Sequence, residues 1–160
     1  MALASLLIAQ LFIAKHYCPN IAFVRSDKLL SEYLGMKEAK DAFTQKQMLW
    51  QNNLDSLNHD IRKYRDTKGA SKERIQQLEQ NVAQYTEAIN KLAQEEDMKS
   101  TDLVYQQINM FIEDYGKKKG YSMIFGSGNS GALLYGADAH DITDELLSAL
   151  NQNYNPNHEK

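Results

Sequence analysis

The sequence has little of what stiffens or staples a chain. Its 160 residues include one cysteine, Cys18, two prolines and eight glycines, six of them beyond Tyr115. A single thiol excludes an intramolecular disulfide framework and a cysteine-rich metal site. The four histidines, His16, His59, His140 and His158, are scattered. No two of them have a spacing that would set both as metal ligands on one helix face. No serine or cysteine stands in a nucleophile motif, so neither a catalytic residue nor a cofactor is expected. Nor is there an excess of base. The net charge is −3, which gives no reason to expect nucleic acid as a partner. A mean hydropathy of −0.58 leaves most of the surface wet. Long apolar runs are missing too, with one short exception, Ala2 to Ala14, broken only by Ser5 and Gln10 and closed by Lys15.

Thirteen residues are few for a membrane span but suit the apolar core of an export signal. No lysine or arginine precedes the run, and no A-x-A pattern follows it. Both features depart from a cleaved signal and suit an uncleaved anchor or a start placed downstream of the true one; residues 1–19 are read as a signal peptide or an N-terminal membrane anchor. A buried amphipathic helix is the plainer alternative.

Scarcity of breakers shapes the middle of the chain. Between Met36 and Tyr115 there is no proline and one glycine, Gly69. Such a stretch, rich in Gln, Glu, Lys and Ala, reads as helix interrupted once. Phe43, Trp50, Leu54, Leu57, Ile61 and Tyr64 recur at intervals of 7, 4, 3, 4 and 3. Ile75, Leu78, Val82, Tyr85, Ile89 and Leu92 recur at 3, 4, 3, 4 and 3. These are heptad seams, and they mirror each other about Thr67-Lys-Gly-Ala70. They predict an antiparallel coiled-coil hairpin over residues 36–118, with Gly69 left-handed in the connection. Ser71 reads as the start of the second helix. That helix loses its seam over Glu95 to Thr101, where Met98 is the one apolar residue, and regains it at Val104, Ile108, Phe111 and Tyr115. The polar interval is a place to bend or splay.

The flanks read as a small β body. Ile21-Ala-Phe-Val24 is a strand by its β-branched and aromatic content. Ser26 or Asp27 can cap a short helix that Gly35 kinks or divides. Lys117-Lys-Lys119-Gly120 closes the long helix with cations and a glycine. Tyr121 to Phe125 and Ala132 to Tyr135, around Gly126-Ser-Gly-Asn-Ser-Gly131, predict a β-hairpin. That loop satisfies G-x-G-x-x-G, but a strand-like segment follows it where a dinucleotide fold needs a helix, so a hairpin tip is the better reading. Asp141 is placed to cap a last helix, Ile142 to Leu150, ahead of a polar tail over 152–160. The expected fold class is α+β, a three-strand body carrying a long helical hairpin. Three short strands leave edges open. Association of chains through Ile21, Phe23, Ile124 and Leu133 would close them.

Charge is unevenly spread. Asp60 to Arg74 holds six bases (Arg62, Lys63, Arg65, Lys68, Lys72, Arg74) and three acids, a local +3 on a remainder of −6. The cations sit at the hairpin tip, either as a solvated loop or as a surface that attracts an acidic partner.

In order and spacing, Ile21-Ala-Phe-Val-Arg-Ser-Asp-Lys-Leu-Leu30, the long helical middle, Lys118-Lys-Gly-Tyr-Ser-Met-Ile-Phe125, Leu134-Tyr135 and Asp141-Ile-Thr-Asp-Glu-Leu-Leu147 resemble the Skp/OmpH-like periplasmic chaperones over about residues 20–151. The tail, with Tyr135 six residues before Asp141-Ile-Thr143, is the specific part. The resemblance implies a homotrimer with a small β body and three helical arms around a cavity. It implies ATP-independent holding of unfolded outer-membrane proteins in the periplasm, with a tether to the inner membrane if the N-terminus is retained. Three arms would raise occupancy through effective concentration. The competing readings are a structural or adaptor coiled coil and a prefoldin-like cytosolic holdase, and cell compartment separates them.

Overall fold

In the computed structural model the chain is described over residues 19–128 and 133–155. The N-terminal apolar run, His16, Cys18, residues 129–132 of the glycine-rich segment and the end of the tail lie outside the described residues. The elements in chain order are β1 (Ile21–Arg25), α1 (Ser26–Glu32), α2 (Leu34–Arg65), α3 (Lys72–Lys119), β2 (Met123–Ser127), a 3₁₀ turn (Asp138–His140) and α4 (Thr143–Asn153). They form two compact units. Among the described residues, one is a base that ends at Gly35 and resumes at Gln106, and the other is an arm of Met36–Tyr105.

The arm is the expected helical hairpin. α2 has 32 residues and α3 has 48, about 48 Å and 72 Å of helix at 1.5 Å per residue. Gly69 takes φ +89° in the connection, where a side chain would be strained. The Ser71 hydroxyl accepts the Arg74 N–H at 3.3 Å and so caps α3. Two ion pairs, Lys46–Glu96 and Arg65–Glu79, cross between the helices and fix their antiparallel register. The polar interval Glu95–Thr101 stays helical throughout. Glu96 within it pairs with Lys46 across the hairpin.

The base departs from expectation. β1 and β2 pair in parallel, Ile21 opposite Met123 through Arg25 opposite Ser127, so β2 is not half of a local hairpin. The expected third strand does not form over residues 133–135, and Ala132 lies outside the described residues. The other edge of β1 instead meets Asp141, through a bridge at Phe23 in which the Ile142 N–H donates to the Phe23 carbonyl at 3.0 Å. Ala22, Phe23 and Val24 are all buried, the pattern of a strand covered on both faces. The 3₁₀ turn, α1 and α4 contact β1, and Leu29, Tyr33, Leu146, Leu147 and Leu150 complete the core.

Two local expectations also change. α1 begins at Ser26 with no side-chain cap, and the division of the helices falls at Tyr33, not at Gly35. Asn151 of α4 accounts for the break. Its Oδ1 accepts the Leu34 N–H at 2.9 Å and its amide donates to the Glu32 carbonyl at 3.4 Å. Backbone groups freed by the break thus find partners. Gly35 serves packing, since a Cβ there would stand 2.6 Å from the Tyr33 ring. At the far end of α3, Gly120 has φ +75°, and the Tyr121 N–H reaches the Gly116 carbonyl at 2.9 Å, the Schellman closure that a glycine there predicts.

Candidate functional site

No cluster of three or more metal-ligating side chains forms among the described residues, and no helix among them is long and apolar enough to cross a membrane.

The arm tip carries the six predicted cations. All six are exposed. Arg62, Lys63 and Arg65 stand in the last turn of α2, where the helix dipole favours positive charge. Arg65 is paired with Glu79, and Arg74 donates to the Gln77 side chain at 2.9 Å. Arg62, Lys63, Lys68 and Lys72 make no ion pair among the described residues. Four cations are thereby left to act on whatever approaches the tip. Exposed charges of this kind act over about 8 Å at physiological ionic strength.

The seam below the tip is thin. Two helices can cover only one stripe of each other. Of the arm's apolar side chains Met36, Ile61 and Val104 are buried, while Leu57, Leu92 and Leu103 remain about two-fifths exposed and Leu49 is 63% exposed. Trp50 packs edge-on against Phe43 at 6.4 Å between ring centres and is half-buried, a seam residue that still meets water. An arm built this way keeps apolar surface open to weak contacts.

In the base, the residues proposed from sequence as an assembly surface separate. Ile21 is 37% exposed, Ile124 and Leu133 are half-buried, and Phe23 is buried within its own chain. A Cβ on Gly136 would come 2.5 Å from the Phe23 ring, so that glycine is what lets Phe23 sit there. Leu134 and Tyr135, at 93% and 83%, are among the most exposed large apolar residues described.

Asp141 organises the rest of the base. Its Oδ1 accepts the Thr143 N–H at 2.9 Å and the Thr143 hydroxyl, and its Oδ2 meets Arg25 Nε at 3.2 Å. The fully buried Thr143 hydroxyl in turn accepts the Arg25 N–H at 2.8 Å. Burial pushes the Asp141 carboxyl upward. The hydrogen bonds from Thr143, with Arg25 and Lys28 behind them, outweigh that and hold it below its ordinary value. Lys28–Asp144 at 2.5 Å and Lys119–Glu145 at 2.8 Å add ion pairs along the first turn of α4. His140 lies against the Ile21 carbonyl at 3.0 Å, a backbone tie.

The family model of the outer membrane protein (OmpH-like) class matches residues 20–150, from the start of β1 into α4. The chain belongs to the OmpH-like family. Among solved structures, a candidate outer membrane chaperone (OmpH-like) from Caulobacter crescentus superposes with a TM-score of 0.53. It shares 16% identity, with 86% of each chain covered, a likeness of fold. No curated protein matches the chain. The part of this OmpH-like sequence with the sharpest motif, Asp141-Ile-Thr143, turns out to be the clasp that fixes α4 to β1. It builds the base, while the arm's residues resemble the family only in character.

Proposed function

We propose that this OmpH-like protein is an ATP-independent periplasmic holdase, a homotrimer that keeps unfolded outer-membrane proteins apart between its helical arms. The observation that carries the reading is the thin seam, which leaves apolar side chains along the arm partly open beneath a cationic tip. Such contacts are individually weak and replaceable. They suit a client held in many poses, and several arms on one base would hold it by effective concentration. The tip cations Arg62, Lys63, Lys68 and Lys72, with Arg65 and Arg74 beside them, would steer acidic clients toward the arms. Assembly would use the open side of the base, with Ile21, Ile124 and Leu133 at the contact and Phe23 supporting it from within. The N-terminal run would direct export and could be kept as a tether to the inner membrane.

The test is aggregation of an unfolded outer-membrane β-barrel protein, followed by turbidity without nucleotide. Near-stoichiometric assembly should suppress it. Failure against every barrel protein tried would transfer the arm to a structural or adaptor role.

A further inference from the structure

The hairpin is two-sided. At 3.6 residues per turn each residue turns 100° about its helix. On α2, Leu49, Leu57 and Tyr64 all fall to one side of the line through Trp50, Leu54 and Ile61, by about 40° to 120°. On α3, Leu92 and Leu103 fall in the same rotational sense from the line through Val82, Ile89 and Val104, by about 70° to 100°. In antiparallel helices the same sense on both places these residues on one flank. Lys46 and Glu96, which share that sense, meet across the hairpin. So do Arg65 and Glu79, which share the other. The second flank holds Gln51, Asn58, Thr86 and Asn90. The apolar five are 36–63% exposed, so they form an open stripe. Met48 and Met98 lie on the helix backs, outside it.

Length and area restrict the occupant. Tyr64, Leu57 and Leu49 are separated by about 10 Å and 12 Å along α2. The register set by Lys46–Glu96 brings Leu103 to the height of residue 39, about 15 Å further. The stripe is thus about 37 Å long, and at the level of Leu49 and Leu92 it spans both helices. Its exposed area, on the order of 400 Å², is half of the about 800 Å² per partner that a stable folded complex needs. A second folded copy does not fit that requirement. An extended segment does. At about 3.3 Å per residue, 9 to 11 residues reach about 30–36 Å. That is one membrane-spanning strand of an outer-membrane barrel, with its alternating apolar side chains. The charges on this flank, Lys46 with Glu96 and Asp60 with Lys99, sum to zero, so the stripe does not select by net charge.

We infer that the flank bearing Leu49, Leu57, Tyr64, Leu92 and Leu103 receives a single extended strand-forming segment of the client, read by its apolar alternation. This rests on the holdase reading and names the part of the client that is held.

The probe is a fluorescent ten-residue peptide of alternating apolar and polar residues. A second peptide of the same composition has its apolar residues in one block. Anisotropy with the native assembly should show binding of the alternating peptide over the blocked one. Leu49→Gln/Leu92→Gln/Leu103→Gln should weaken it about ten-fold, with helix content and assembly mass unchanged, since all three residues are exposed. Gln51→Ala/Asn90→Ala, on the opposite flank, should change it little. Equal binding by both variants, equal binding of the two peptides, or binding of neither by the native assembly overturns the inference. So does a fall in assembly mass on changing the stripe, which would give the surface to a second copy. Suppression of barrel-protein aggregation by the native assembly and the stripe variant alike would sink the inference while sparing the holdase reading. Absence of suppression by the native assembly would sink the holdase reading itself.

Discussion

Replacing Asp141 with alanine should loosen the base by about 3 kcal/mol, and the figure follows from what the carboxylate holds. Oδ1 accepts both the N–H and the hydroxyl of Thr143, a residue with no exposure at all. Removing the acceptor strands a buried N–H, at about 1–3 kcal/mol. It also leaves the buried Thr143 hydroxyl without its acceptor, at about 1 kcal/mol. The Arg25 pair adds little, because the Arg25 side chain is 49% exposed. Asp141→Asn keeps an acceptor for the N–H and should cost about 1 kcal/mol, mostly the loss of charge-assisted bonding. Trp50, the one tryptophan, reports the arm, so the assay must read the base. Hydrogen exchange of the peptides covering 21–25 and 143–153 does so, at fixed protein concentration because any self-association would add protection. The pH dependence has a definite sign. The folded-state pKa of Asp141 is lowered, so its stabilisation is present above the ordinary carboxylate range and fades as pH falls through the lowered value. Thermal unfolding of the native base should lose this contribution on acidification, and Asp141→Ala should show a flatter pH profile. A loss under 0.5 kcal/mol for the alanine variant, or equal losses for alanine and asparagine, would refute the reasoning.

Three further outcomes are expected. Gly136→Ala should destabilise the base by about 1–3 kcal/mol, read as faster exchange of β1, because its Cβ would press on the Phe23 ring at 2.5 Å; unchanged exchange would remove Gly136 from the packing argument. Ile61→Ala should cost the arm about 2–4 kcal/mol by Trp50 fluorescence in urea, whereas Leu57→Ala should cost under about 1 kcal/mol because Leu57 is already 40% exposed; equal costs would contradict the thin seam. Changing Arg62, Lys63, Arg65, Lys68, Lys72 and Arg74 to Gln should preserve helix content and assembly mass while making capture of an acidic client slower and less sensitive to salt; equal capture rates at low salt would leave the tip as mere solvated surface.

What the sequence disclosed and what it hid divide along a physical line. The arm was legible because its signals are local. Heptad intervals run from Phe43 to Tyr64 and resume at Ile75, and Gly69, Ser71 and Gly120 mark ends whose geometry those residue types favour. The base was hidden because its pairings are distant. Ile21 and Met123 are opposite each other across about a hundred residues, and no local pattern separates a parallel partner from half of a hairpin. Phe125 and Leu133, flanking a Gly/Ser/Asn segment, imitated a hairpin, but residues 133–135 took no strand. The break at Tyr33 depends on Asn151, which no local signal near residue 33 could disclose. For the candidate surface, the tip cations were plain from charge counting. The stripe from Tyr64 to Leu103 needed the cross-hairpin ion pairs before the flanks of two helices could be assigned to one side.

The central claim is that the assembly keeps an unfolded barrel protein soluble by holding it. Light scattering on a size-exclusion column, after diluting a denatured outer-membrane barrel protein into the assembly without nucleotide, measures this directly. The account predicts a soluble species of about three chains with one client bound, and a client that exchanges its backbone amides as an unfolded chain. An assembly that elutes at its own mass while the client is lost to the pellet would contradict it.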